Sequence, residues 1–399
     1  LRFDLGFEVD LIQARKLSPC KQGTAATFSL LPRSEFRVLF PFRNATPRRP
    51  IVGDKLDRYA LLNSARLFAG LQLNRDFSRL SAALIVTEGR GKYLRVQHVE
   101  AQSNEVPASL AQGLREQARS PNGNWPPLLS DLAEFQAAEF DRLKRVAGKF
   151  VDRILCMAVG DPGLWLQDFD GRRTYLSACD PCKLSELTGV SVVDGFPARD
   201  LAAGGNGSEL AGLPLWLWLA DRPQKAARLS TGLIVQDASE VTAWFLPGSD
   251  GLDEVLPDIE RMRLETGRLS GEHLSTALVA FLQRPRKESL PLRQLYFAVD
   301  EGESSVPALA TARQLGLEAD PLPLLPEQFS RPEIASAVAT TILGGLFVDQ
   351  MPGNVPALSG AGIQRILGRI TPGSPASWRN LLINMTDSQA PTMKLRDAI

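Results

Sequence analysis

An Arg-Asp pair beside a run of small residues carries the most chemistry in this chain. The segment Thr188–Ser208 reads TGVSVVDGFPARDLAAGGNGS. Its β-branched run, Val190–Val193, predicts a buried strand. The strand is expected to end at Arg199 and Asp200, ahead of a turn through Ala202, Ala203, Gly204, Gly205, Asn206 and Gly207. A carboxylate at a strand end can act as a base, and glycines beside it let backbone and ligand approach closely. The same pattern also describes a plain strand–turn junction with a solvated Asp.

A second spacing, Cys179-Asp180-Pro181-Cys182, suits a redox pair or half of a zinc site. A structural zinc needs four ligands, and the sequence holds no second pair, so packing is the expected role. A thiol near a helix N-terminus is expected to have a lowered pKa. Asp180 suits the N-cap of a helix over 181–187, Pro181 its first position and Gly189 a left-handed C-terminal residue. His98 and His273 are the only histidines, which leaves little for a histidine-based metal site or triad.

These residues must be positioned by a chain of 399 residues, long enough for two domains. Lys+Arg and Asp+Glu are both 45, so no global field points to nucleic acid or a membrane surface. No apolar run reaches the roughly 18 residues of a spanning helix. With four Cys, the chain is no disulfide framework, and a cytoplasmic location is expected. The start lacks an initiating Met and an apolar h-region, so the true N-terminus is expected to lie upstream.

Residues 1–58 hold eleven Lys/Arg against six Asp/Glu, with a Pro- and Arg-rich passage at Phe40–Pro50. They read as a basic extension. From residue 59 the pattern tightens. Arg66–Leu71, Ser81–Thr87 and Tyr93–Val99 predict strands, an amphipathic helix falls within 129–151, and Ile154–Val159 predicts another strand. Strand–strand–strand–helix–strand–helix is the order of a ribonuclease-H-like unit. Leu229–Val235, Glu240–Leu246, a helix at Ser270–Leu282, Gln294–Val299 and an apolar helix at Pro332–Phe347 are expected to repeat it.

The Asp200 segment closely resembles one in the anhydro-N-acetylmuramic acid kinases, T-G-x-x-V-V-x-D-F-R-x-R-D-x-A-A-G-G-x-G, whose last Asp is the general base. A second match is Pro352–Ala361, PGNVPALSGA, against the family's P-G-N-x-P-x-x-T-G-A, continued by Leu367, Gly368 and Ile370. The resemblance spans roughly residues 66–372. It implies an α/β, actin-like ATPase fold of two duplicated ribonuclease-H-like halves flanking a cleft, at 59–225 and 226–373, with a C-terminal extension at 374–399. It implies Asp200 as general base, Arg199, Gly204, Gly205 and Trp165 at the sugar, and Gly232 and Gly248 at the nucleotide.

The phosphate-handling places depart from that family. Its first loop, G-L-M-S-G-T-S-L-D-G, is matched by Gly70-Leu71 and then Gln72-Leu73-Asn74-Arg75-Asp76-Phe77-Ser78-Arg79. The later glycines are gone, and Ser78 stands where the magnesium-serving Asp belongs. The second loop is Ser230–Gln236 and the third Phe245–Gly251, without its Asp. The triple glycine of the second domain is replaced around Ala298–Gly302, where Asp300-Glu301 would repel phosphate. The family's G-x-H-G-Q-T becomes Gly160-Asp161-Pro162-Gly163-Leu164-Trp165, and Ser336 falls near its cleft-facing Glu.

Phosphoryl transfer is chiefly positioning and charge stabilisation, so four altered phosphate places at once favour a pseudokinase. The expected protein is a scaffold or sugar-derivative binding module with no cofactor. An amino-sugar ligand, and a homodimer or protein partner met through residues 1–58, fit that reading. The alternative is an active ATP- and magnesium-dependent kinase of cell-wall recycling, with Asp200 as base. A different reaction in the same cleft, with Asp200 as acid or base, is a third reading.

Overall fold

The computed structural model describes residues 65–119, 125–167, 173–220, 230–236, 240–247, 259–266, 292–299, 312–321 and 331–386, with residues 279, 281, 310 and 323. Strands β1 (Arg66–Leu73), β2 (Arg79–Glu88) and β3 (Arg95–Glu105) form an antiparallel meander. Helices α1 (Ala108–Arg119) and α2 (Trp125–Ala147) follow, then β4 (Ile154–Gly160), which returns parallel to β1. The hairpin of β5 (Leu164–Gln167) and β6 (Arg173–Leu176) leads to α3 (Pro181–Thr188), β7 (Val192–Asp194), α4 (Phe196–Leu201) and α5 (Gly212–Leu219).

A second set of strands repeats the arrangement: β8 (Ser230–Gln236), β9 (Glu240–Leu246), β10 (Glu260–Thr266), β11 (Leu292–Val299) and β12 (Glu318–Pro321). The last described elements are α6 (Pro332–Val348), α7 (Pro356–Ser359), β13 (Arg369–Thr371) and α8 (Pro375–Thr386). The first sheet has the order β13-β7-β4-β1-β2-β3 and the second β10-β9-β8-β11-β12. In each, the first strand lies between an antiparallel second and a parallel fourth. The third strand pairs antiparallel with the second, and the last repeat strand pairs parallel with the fourth. This is the ribonuclease-H-like order twice over, and two such units in tandem make an actin-like fold.

Alternation explains why the first sheet is covered on both faces. Leu67, Ala69, Leu71 and Leu73 of β1 enter one core with Leu114, Leu132, Phe140 and Leu184 from α1, α2 and α3. Phe68 enters the other, with α5 and α6. Helix α6 is apolar nearly all round, as a helix enclosed by protein should be. It sits close over the sheet because Gly70 has no side chain: a Cβ there would lie 2.0 Å from Thr341 Oγ1. On the opposite face, α2 is seated by buried Glu139, which accepts from Asn104 at 2.6 Å and Arg142 at 2.6 Å.

Several expected elements shift. Asp200 lies in the last turn of α4, because β7 already ends at Asp194 and Gly195-Phe196-Pro197 starts a helix. Gly195 has φ +69°, and Pro197 stands in the first turn where its missing N–H costs nothing. Residues 369–371, expected in the second half, pair as β13 with β7 and complete the first sheet. Residues 375–386 form α8, which contacts β4 and α6. The helix read at 270–282 falls outside the described residues apart from 279 and 281, as does the basic extension 1–58. The helix after Asp180 is as expected: its carboxylate accepts from the Lys183 amide at 3.0 Å, and Gly189 closes it at φ +72°. Among the described residues, no helix is long and apolar enough to cross a membrane.

Candidate functional site

Asp200 is 0% exposed, and its carboxylate ties together the two segments that carried the sequence resemblance. Oδ1 accepts from Asn354 Nδ2 at 2.9 Å and from Ser359 Oγ at 2.9 Å. Oδ2 accepts from the Gly207 amide at 3.0 Å. The Asp200 carbonyl takes the amides of Ala203 and Gly205, both at 2.9 Å. Backbone bonds strap the same loops: the Asn206 amide to the Ser359 carbonyl at 2.8 Å, and the Gly362 amide to the Ala203 carbonyl at 3.1 Å. Asn354 is itself buried, with Oδ1 accepting from the Arg365 amide at 2.7 Å. A buried carboxylate with three donors is well compensated for its desolvation, and at 0% exposure it is not open to solvent.

The surrounding site residues divide. Gly205 is needed where it stands, since a Cβ would lie 2.1 Å from Asp200 Oδ2. A Cβ on Gly207, at φ +69°, would come 2.7 Å from Trp165 Cη2. Trp165 thus joins the Asp200 loop and is itself 43% exposed. Its indole N–H is used on the Pro162 carbonyl at 2.8 Å, and it meets Tyr175 edge-on at 5.2 Å. Gly204 has φ +83° with only the Gly362 amide nearby, and Arg199 is exposed on α4. Gly232 lies elsewhere, within β8: a Cβ there would meet Leu295, Leu292 and Phe281, an apolar setting that offers phosphate nothing. Gly248 and Asp300-Glu301 fall outside the described residues.

The turn joining β1 to β2 is closed on its own side chains. Asn74 Oδ1 accepts from the Arg79 amide at 2.9 Å, and Asp76 Oδ1 accepts from the Ser78 amide at 3.2 Å and hydroxyl at 2.7 Å. Two further amides, Asn74 and Phe77, are bonded to turn carbonyls. Phe77 adopts φ +62° and buries its ring in the core beneath. At the neighbouring strand ends, Gln72 Oε1 accepts from Thr340 at 2.6 Å and occupies the space beside Gly160. Ser336 is exposed on α6 and bonds back to the Pro332 carbonyl.

Sequence reading passed over two carboxylates at the ends of β4 and β7. Asp161 accepts from Tyr175, Ser177 and the Ala178 amide, each at 2.8 Å. Burial raises its pKa against the lowering effect of those bonds, and Asp194 adds to the rise. Asp194, 0% exposed, takes a two-pronged ion pair from Arg369, at 3.0 and 2.9 Å. The partners of Asp161 lie 14 to 17 residues away, on a hairpin no local pattern announces. The Cys179 thiol is pushed well above its ordinary value, by burial first and then by Asp194 and Asp161. That corrects the expectation of a lowered value, because neighbouring carboxylates and burial outweigh the helix terminus. Cys156 is buried and pushed up to about 12, while Cys182 is exposed. Among the described residues, no cluster of three or more His, Cys, Asp and Glu could hold a metal ion.

The fold defines the class: an actin-like chain with two ribonuclease-H-like sheets. Comparison with known proteins adds little to that. No family model matches the chain, and no curated protein matches it. Among solved structures it is similar to an Aquifex aeolicus member of the Ppx/GppA family, at 8% identity over 71% of this chain and 90% of that one, with a TM-score of 0.29. An Aquifex aeolicus PPX-GPPA enzyme gives 8% identity over 80% and 99%, with a TM-score of 0.28. An exopolyphosphatase-like protein gives 11% identity over 80% and 98%, with a TM-score of 0.28. At such values the assignment rests on strand order, and no activity passes from these proteins to this one.

Proposed function

We propose that this is an actin-like protein resembling the anhydro-N-acetylmuramic acid kinases, in which the fold is kept as a scaffold or sugar-derivative binding module. The observation that carries the reading is the β1–β2 turn. A phosphate-binding loop presents free amides, yet here the amides of Asn74, Phe77, Ser78 and Arg79 are taken by the turn's own oxygens. Asp200 supports it from the other side, as a structural clasp whose carboxylate already accepts from three protein donors. The exposed face of Trp165 beside Gly207 is the place for an amino sugar, since an aromatic ring stacks on a sugar face. Residues 1–58 would serve a second copy or a protein partner, in the cytoplasm.

Calorimetric titration tests this. Magnesium–ATP is expected to bind no tighter than millimolar, about −4 kcal/mol. The anhydro sugar, titrated separately, is expected to bind and to lose affinity in Trp165→Ala. A micromolar affinity for magnesium–ATP, or sugar phosphorylation abolished by Asp200→Asn, would falsify the scaffold reading in favour of an active kinase.

A further inference from the structure

Asp161 follows directly on β4, and the hairpin that carries Trp165 is hung on it. Within that hairpin Trp165 pairs opposite Tyr175, and the two rings meet edge-on, with planes at 65°. Tyr175 is the buried member of the pair and Trp165 the exposed one. The Tyr175 hydroxyl and the Ala178 amide donate to Asp161 Oδ1, and the Ser177 hydroxyl donates to Oδ2, each at 2.8 Å. One carboxylate therefore holds β6 at Tyr175 and the two residues that follow β6.

The indole is fixed on its other sides as well. Its N–H is used on the carbonyl of Pro162, the residue next to Asp161. Gly163, at φ +56°, makes room for Tyr175, since a Cβ there would lie 2.3 Å from Cε2. Gly207 does the same for the far edge of the indole. With the ring wedged in this way, the direction of its exposed face follows the Asp161–Tyr175 bond.

That bond depends on where one proton sits. An ionised carboxylate only accepts, which suits three donors, whereas a protonated one must donate from one oxygen. Ser177 Oγ already accepts from the Cys179 amide at 3.1 Å. Tyr175 has a second acceptor within reach, the Asp161 carbonyl at 3.1 Å. Proton uptake therefore makes a hydroxyl turn, and Tyr175 is the one with another acceptor. The other ionisable groups that interact with Asp161 are Asp194 of β7, its ion-pair partner Arg369 of β13, and the Cys179 thiol. Burial is the largest influence on the Asp161 pKa and raises it, and Asp194 adds to the rise.

We propose that Asp161 is a positioning residue for the exposed face of Trp165, acting through Tyr175, and that proton uptake on its carboxylate resets the ring. Its bearing on function rests on the reading of Trp165 as the place for an amino sugar.

The test is fluorine NMR on the full, unliganded chain with 5-fluorotryptophan at all six tryptophans, titrated from pH 8 to pH 4. The Trp165 resonance is identified by its loss in Trp165→Phe. It is expected to move in one titration step, with a midpoint above the ordinary carboxyl value of about 3.9. Asp161→Asn keeps one acceptor oxygen and turns its amide toward Ser177, so it is expected to fold and to leave the resonance flat. If that variant does not fold, Tyr175→Phe keeps both the ring and the carboxylate and is expected to at least halve the excursion. A flat resonance in the wild type overturns the proposal, as does a titration that persists unchanged in a folded variant. A titrating resonance in a protein that binds no sugar would sink the function proposed above and keep this assignment.

Discussion

The Asp200 loop and the β1–β2 turn are the two places where the resemblance would put substrate and phosphate, and they have departed from that chemistry by different routes. At the first, the residue types are kept: Asp, the glycines and the Pro-Gly-Asn segment all stand in order. Their polar atoms are turned on one another, three donors to one carboxylate. At the second, the residue types are replaced, and the newcomers Asn74, Asp76 and Ser78 bond within the turn. Both end with most of their hydrogen-bonding capacity used internally. A retained residue is therefore no guide to retained chemistry until its partners have been counted.

The sharpest way to break that comparison is Asp200→Ala. It leaves two side-chain donors and one amide buried without their acceptor, at about 1–3 kcal/mol each when unrelieved. A loss of about 4 kcal/mol in urea unfolding is expected. An unchanged melting temperature would mean that Asp200 is held for a ligand rather than for the fold. In the turn, Phe77→Ala is expected to cost about 3 kcal/mol through the cavity it leaves. Phe77→Gly should cost about 1 kcal/mol less, since φ +62° is strained for a side chain and free for glycine. Equal losses would show that the turn relaxes rather than holding Phe77 in place.

Gly205→Ala sharpens the account of the clasp at a lower level. The added Cβ must push the Asp200 carboxylate off its donors, for about 2 kcal/mol in the same assay. The smallest effect is a pH dependence. Because Asp161 has its pKa raised by burial, its stabilising contribution is fully present below the ordinary carboxyl value and is lost as pH rises through the raised one. Unfolding of the wild type and of Asp161→Asn, compared from pH 7 down to pH 4, should show the wild type gaining relative to the variant. A constant difference would mean that Asp161 titrates as an exposed carboxyl does.

Much of the frame could be read from sequence, for identifiable reasons. The near-continuous apolar runs of β1 and β2, and the Asp-Pro and Gly that bracket α3, are local signals, and the structure keeps them. The duplication was legible chiefly through the family resemblance, because strand spacing alone does not establish it. What escaped was long-range. Glu139 looks like a helix-surface acid until Gln102 and Asn104 arrive from β3. Asp200 looks like a strand-end base because Asn354 and Ser359 lie 154 and 159 residues on. Gly232 reads as a loop glycine only while its pairing with Phe245 and Leu295 is unknown.

The pairing of Arg66 with Asp349 spans 283 residues, and β13 reaches back across 175 to Asp194. The first strand of the first sheet therefore waits for α6 and the residue that follows it. At a synthesis rate of about 5–20 residues per second, that delay is roughly 15–60 seconds. During it, β1 and β4 lack the α6 cover over one apolar face, and β7 has an open edge. Contacts of such sequence separation slow folding, and an uncovered sheet invites association with other nascent chains. Residues 332–371 are thus the step that closes the first sheet, and a chain cut short before Asp349 would leave that sheet uncovered on one face.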